Sequence, residues 1–270
     1  MSCPDCLTGD ILPGEPTGAF SSQGAYFAPA PGNSSKSKRA ILLLTDAFGL
    51  PLKNSKILAD KLAAELRCDV WVPDYFEGRP LANLDSMFLL PDRAGVKMTL
   101  FKWFRFILAM IPKLPAAYSS RPAVVDARLS KATILEEKNY QKLGAVGYCF
   151  GGATAIRLGS TGLVQSIVVC HPGPFSIGQA EAINTPASWV CAEDDLFFNR
   201  AYRLQVEASF AERQGTDKFV EYEFKDYEGI GTAHGFAARP NLSLTQVTEA
   251  HRKAFQQTVE WFEKTLPILL

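Results

Sequence analysis

The chain has 270 residues, 47% of them hydrophobic, with 28 Lys and Arg against 28 Asp and Glu, the profile of a globular protein with enough apolar mass for a sizeable core. Zero formal net charge and no block of basic residues argue against nucleic acid as the main partner, because phosphate binding needs clustered Lys and Arg; a small molecule is the expected ligand. Six scattered cysteines, at 3, 6, 68, 149, 170 and 191, and no basic-then-apolar leader in MSCPDCLTGD predict a cytoplasmic chain with free thiols.

Residues 1–39 are rich in Gly, Pro and Ser and read as an arm of turns packed on one domain of residues 40–270. CPDC has the spacing of half a zinc site, but no second Cys/His pair follows at a workable distance, so a turn and no metal are expected. AILLLTD (40–46) is a continuous apolar run, as a strand buried on both faces should be. NSKILADKLAAEL follows at helical spacing with Asn54 as the expected N-cap. Further strands are predicted at 68–74, 143–148, 165–172, 187–195 and 219–226, and helices at 150–159, 199–213 and 245–265. Strands alternating with helices predict an α/β fold with a mostly parallel sheet covered on both faces.

The segment VKMTLFKWFRFILAMIPKL (96–114) is apolar around most of a helical circumference, but Lys102, Arg105 and Pro112 interrupt it. It is too short and too charged to span a bilayer, so no membrane span is expected. The reading preferred here is a helix beside the ligand-binding edge, part core and part pocket wall, over a helix lying on a membrane surface.

Chemistry concentrates in LGAVGYCFGGATAIRLG (143–159), where a strand ends in Gly147-Tyr148-Cys149-Phe150-Gly151 and a helical pattern begins at once. In a doubly wound sheet, ligands bind beyond the carboxyl ends of the strands. Glycines at −2 and +2 allow the sharp strand-to-helix turn of a nucleophile elbow, and a thiol at the helix N-terminus is favoured as thiolate. A core cysteine needs no such flanking glycines; Cys170 and Cys191, inside apolar strands, read as core. An elbow of this kind predicts an acid and then a histidine later in the chain. Of three histidines, His234 lies in the glycine-rich GIGTAHGFAARP loop before the last helix and suits a general base. His171 ends the strand after the elbow and reads as pocket lining, whereas His251, among charged residues of a helix, reads as solvated. Glu193, Asp194 and Asp195 end a strand together, and composition alone does not choose among them.

GYCFGG, AEDDLFF and HGF in this order, with LLLTDAFGL on the first strand and CLTGDILPGEPTG at the start, resemble the dienelactone hydrolase (carboxymethylenebutenolidase) family of α/β-hydrolases, its fungal members especially. The resemblance implies an α/β-hydrolase fold and a Cys149-His234-Asp195 triad, with Asp194 as the alternative acid. It implies no metal and no organic cofactor. Ala192 and Asn199 stand where the family has glycine and proline, and Asp46 stands where it carries a Glu in contact with the resting thiol. It further implies oxyanion donors at the Phe150 and Ala47 backbone N–H groups. Arg239, one residue later than the family arginine that binds the substrate carboxylate, joins Tyr148, Phe236 and His171 as substrate-binding candidates. The expected reaction is hydrolysis of a lactone or an activated enol or aryl ester by acyl transfer through the thiol. Two alternatives are a retired hydrolase that binds a small molecule and a class I glutamine amidotransferase, which also has a G-x-C-x-G elbow. The latter carries an acid two residues after its histidine, where this chain has Phe236.

Overall fold

The computed structural model describes residues 9–32, 37–82, 91, 93–130 and 139–267. Six parallel strands carry the alternating pattern: β3 (Arg39–Leu44), β4 (Asp69–Val72), β5 (Lys142–Tyr148), β6 (Ser166–Cys170), β7 (Ala187–Ala192) and β8 (Tyr222–Tyr227). The arm is more than turns, since β1 (Ala19–Phe20) and β2 (Tyr26–Ala28) extend the sheet, β2 pairing antiparallel with β4. The sheet order is β1-β2-β4-β3-β5-β6-β7-β8. The chain therefore leaves β3 for β4 on one side and returns to β5 on the other. That switch point lies between β3 and β5 and opens a crevice at their carboxyl ends.

Strand side chains alternate between two apolar layers. Ile41 and Leu43 of β3 face α1 (Lys53–Leu66) and the long α8 (Thr245–Thr265), packing with Leu58, Leu62, Val70 and Phe262. Ala40, Leu42 and Leu44 face the opposite layer, with Val125, Ile156, Val169, Trp189 and Phe210. Each fully buried Leu or Ile of this kind contributes about 1.5–3 kcal/mol over its exposed state. The second layer draws on α4 (Pro122–Ser130), α5 (Phe150–Leu158), α6 (Ile177–Glu181) and α7 (Arg200–Ala211). Between β4 and α4 run α2 (Leu100–Met110), a 3-10 turn (Ile111–Lys113) and α3 (Leu114–Ser119).

Three expectations need correction. Asn54 does not cap α1, whose N-cap position is Leu52. Its buried amide instead accepts from Leu12 N (2.9 Å) and donates to the carbonyls of Asp10 (2.9 Å) and Ala238 (2.9 Å), tying the arm to the loop after His234. The second correction is α2, which buries no residue and so is not part of the core. His251 is buried and not solvated, because it lies on the inner face of α8. The Cys3 and Cys6 turn falls outside the described residues. Cys68, Cys149, Cys170 and Cys191 are unbridged.

Candidate active site

The tight junction of β5 and α5 forces Cys149 into a backbone conformation that non-glycine residues avoid, φ 52° and ψ −112°. Such a residue costs of order 1–3 kcal/mol and persists where its surroundings over-determine it. Here they do: Cys149 N donates to Cys170 O (3.1 Å), and Cys149 O accepts from Gly173 N (2.7 Å) and Ala153 N (3.1 Å). The flanking glycines answer a need for closeness. A Cβ on Gly147 would stand 2.0 Å from Gly151 O, and one on Gly151 would stand 2.1 Å from Leu44 O. No side chain fits at either position without separating β5, α5 and β3. Phe150 opens α5, where its N–H has no intrahelical acceptor, and Ala47 follows the carboxyl end of β3 across the switch point. The Phe150 ring packs on Tyr75 and Phe76, centroids 5.9 and 5.1 Å away.

Strands β7 and β8 deliver the acid and the base. Asp194 N donates to Thr232 O (3.1 Å) and His234 N to Asp194 O (3.3 Å), so the two loops are held side by side by their backbones. Asp195 turns inward: both its carboxylate oxygens lie 3.0 Å from His234 Nδ1, and Oδ1 also accepts from Phe197 N (2.8 Å) and Phe198 N (3.0 Å). Asp194 is exposed and turns away, its Oδ2 accepting from Gly95 N (3.0 Å). Glu193 accepts from Ile230 N and Gly231 N, which closes the base of the His234 loop. Of the three neighbouring acids, Asp195 alone touches the histidine ring.

Charge follows the same geometry. Burial pulls the His234 imidazolium down, but the Asp195 carboxylate and then the Cys149 sulfur outweigh it and raise the group to about 10. Burial pushes the Asp195 carboxyl up, and the imidazolium, with the Phe197 N–H, brings it below the ordinary carboxylate range. His234 Nε2, the ring nitrogen that does not meet Asp195, is buried and is the one left for the Cys149 sulfur.

Asp46 and Arg239 form a second buried pair, with Arg239 Nε 3.0 Å from Asp46 Oδ2 and side chains 4% and 2% exposed. Asp46 Oδ1 accepts from Phe48 N (3.1 Å), and the guanidinium lies over the Phe48 ring. Burial pushes the Asp46 carboxyl up against the pull of that guanidinium. Tyr148, Phe236 and His171 form a buried layer behind the base: the His171 ring meets His234 edge to face at 5.2 Å and lies within 6.0 Å of Tyr148 and 5.9 Å of Phe236. His171 carries a second strained backbone, φ 34°, and neither ring nitrogen has a partner. Burial, then the neighbouring His234 charge, hold it well below its ordinary value, so it is neutral. Its sequence signal was a strand-ending histidine on the right edge, but the contact with His234 depends on tertiary packing. A small pocket lined by Pro91, Val96, Asp194, Leu196, Ala233 and His234 opens beside the base.

The sequence profile of the dienelactone hydrolase family matches residues 25–266. Similar proteins include hydrolase pyvD of Aspergillus violaceofuscus, 29% identical over 97% of this chain and 96% of that one. Dienlactone hydrolase 1 of Gibberella moniliformis is 26% identical over 96% of this chain and 92% of that one. Among solved structures, a candidate dienelactone hydrolase from Klebsiella pneumoniae superposes with a TM-score of 0.64 at 15% identity, covering 89% and 92% of the two chains. The dienelactone hydrolase of Anabaena variabilis gives 0.54 at 13% identity, covering 92% and 97%. At these identities the structural likeness speaks for the fold, which is that of the α/β-hydrolases.

Proposed function

The chain belongs to the dienelactone hydrolase family and is a hydrolase of ester or lactone bonds, and from that premise we propose that it works by a Cys149-His234-Asp195 triad on lactones and activated esters. The observation that carries this reading is the pairing of a strained Cys149, at φ 52°, with a buried His234 whose Nδ1 is held by both oxygens of Asp195. A histidine raised to about 10 keeps its proton at neutral pH, and an imidazolium beside the sulfur supports attack by thiolate.

In the proposed reaction, the Cys149 sulfur bonds to the carbonyl carbon and the carbonyl electrons move to oxygen. The N–H groups of Phe150 and Ala47 would receive that oxyanion, as donors aimed at a charge that exists only in the transition state. Collapse breaks the carbon–oxygen bond, and the departing oxygen takes the proton of His234. Water then attacks the thioester carbonyl and gives a proton to His234, and the carbon–sulfur bond breaks to free the Cys149 thiolate and restore the imidazolium. Asp195 holds the imidazole tautomer throughout. An enol or phenol, protonated by His234 as it departs, competes with re-expulsion of the thiolate far better than an alkoxide does, so simple alkyl esters are poor substrates on this reading. Asp46 is proposed to adjust the field at the thiol through the switch point, with Arg239 as its counter-ion. The test is a hydrolysis screen of dienelactones, enol lactones, aryl esters and alkyl esters, with wild type beside Cys149→Ala. Turnover of activated substrates by wild type alone is expected; equal turnover by the variant rejects the triad.

A further inference from the structure

Helix α2 is inside out. Lys102, Phe106, Ala109 and Met110, spaced to share one face, are half-buried against the protein. The opposite face shows Leu100 (90% exposed), Phe101 (68%) and Phe104 (62%), with Ile107 and Leu108 completing the stripe. The apolar surface continues through Ile111, Leu114 and Tyr118. Thr99 caps the helix by accepting from Lys102 N (3.2 Å), so its start is set locally, not by core packing. Contiguous exposed apolar side chains on this scale mark a surface that something covers.

Charge selects the covering surface. Between residues 93 and 125 stand Arg93, Lys97, Lys102, Arg105, Lys113 and Arg121 and no Asp or Glu, in a chain that elsewhere restores a balance of 28 to 28. A second copy of the chain, docked about a two-fold axis, would set these cations against themselves. An anionic bilayer meets both features, taking apolar side chains into its hydrocarbon boundary and offering phosphate and carboxylate groups to the lysines and arginines. Among the described residues no helix is long and apolar enough to cross a membrane, so the contact would be interfacial. Trp103, partly exposed at the edge of the stripe, suits that depth.

We infer that α2, with the 3-10 turn and α3 behind it, is a docking face for an anionic membrane surface. The segment entering α2 is fastened to the catalytic rim, with Ala94 N donating to Gly231 O (3.0 Å) and Gly95 N to Asp194 Oδ2 (3.0 Å). Pro91 and Val96 line the same pocket as His234, so docking through α2 sets the pocket mouth close to the interface.

The experiment is flotation of the full chain with vesicles of phosphatidylcholine and with vesicles of equimolar phosphatidylcholine and phosphatidylserine, at low and high salt. Wild type is expected to float with the anionic vesicles at low salt. Lys97→Glu/Arg105→Glu, both at exposed positions, should bind about tenfold or more weakly, since each basic residue adds to attraction at an anionic surface. Phe101→Ser/Phe104→Ser should lose binding comparably, and both variants change exposed side chains, so their melting should match wild type. Failure of wild type to float at low salt overturns the proposal, as does equal flotation by either variant. Sedimentation that shows a dimer in wild type and a monomer in Phe101→Ser/Phe104→Ser assigns the face to a second copy and overturns it as well.

Discussion

The two regions that meet at the pocket are built on opposite principles. At the carboxyl ends of β3, β7 and β8, Asp195, Asp46 and Arg239 are buried and paired, and His234 is held by a carboxylate on one side. Across the pocket, α2 turns Leu100 and Phe104 to solvent and its half-buried face carries a lysine. The first region fixes atoms to fractions of an ångström, as a reaction with a short-lived charged intermediate requires. The second is free to meet a surface. A mutation in the one is therefore expected to change chemistry or folding, and in the other to change neither.

Replacing Cys149 with Ala should show the contrast at its sharpest. Loss of the nucleophile is expected to cut kcat by about 10³-fold or more with melting unchanged, as steady-state kinetics beside calorimetry would record. Neighbouring acids provide the next comparison. Asp195→Asn should cost on the order of 10²–10⁴ in rate because it releases the imidazole tautomer, while Asp194→Asn, whose carboxylate holds only Gly95 N, should leave kcat near wild type. The reverse ranking would move the triad to Asp194.

Arg239→Ala leaves Asp46 buried without its counter-ion and should destabilise the fold by about 3 kcal/mol in denaturant titrations. The same variant tests whether this guanidinium also reads a substrate carboxylate: a loss of kcat/KM confined to carboxylate-bearing lactones says that it does, and equal losses on neutral aryl esters say that it does not.

Stability against pH separates the histidines. His234 is raised from 6.5 to about 10, so its contribution is full below pH 6.5 and is lost as pH rises toward 10. His251, lowered by burial to about 4, acts with the opposite sign, and stability falls as pH drops from 6.5 toward 4. Melting curves of His234→Gln should therefore lose the alkaline slope and keep the acid one; retention of the alkaline slope would assign it elsewhere. The smallest effect belongs to α2, where Phe104→Ala should shift stability by no more than about 0.5 kcal/mol, as at other exposed positions.

What the sequence made legible was whatever local chemistry demands. The run AILLLTD, the glycines around Cys149 and the loop holding His234 each announce their element through spacing and residue type, and the parallel strands fall within a few residues of their expected bounds. Pairings between distant segments were not legible. Strands β1 and β2 are two and three residues long and exist because β4 offers an edge, which no local pattern states. Asn54 sits where a capping residue would, and only the folded chain shows that the arm and the Ala238 carbonyl claim its amide. His251 has charged neighbours in sequence, but helical spacing turns it inward with Ala250 and Ala254. Apolar residues around α2 suggested core, since hydrophobicity predicts that a surface is covered without saying by what.

The Asn54 junction also bears on how the enzyme is assembled in time. Asp10 N donates to Pro240 O, Asp10 Oδ2 accepts from Leu242 N, and a Cβ on Gly9 would collide with Arg239 O. The loop that carries His234 is thus strapped down by residues made more than two hundred positions earlier. During vectorial synthesis β2 can pair with β4 early, but the Asp10 N–H and carboxylate must wait until the last strand and its loop have emerged, and contacts of such long range close late and slowly. The elbow around Cys149 can form on a shorter chain, but the base cannot be seated until this final stitch is made. Catalytic competence should therefore appear as one of the last events of folding, later than the bulk of the secondary structure.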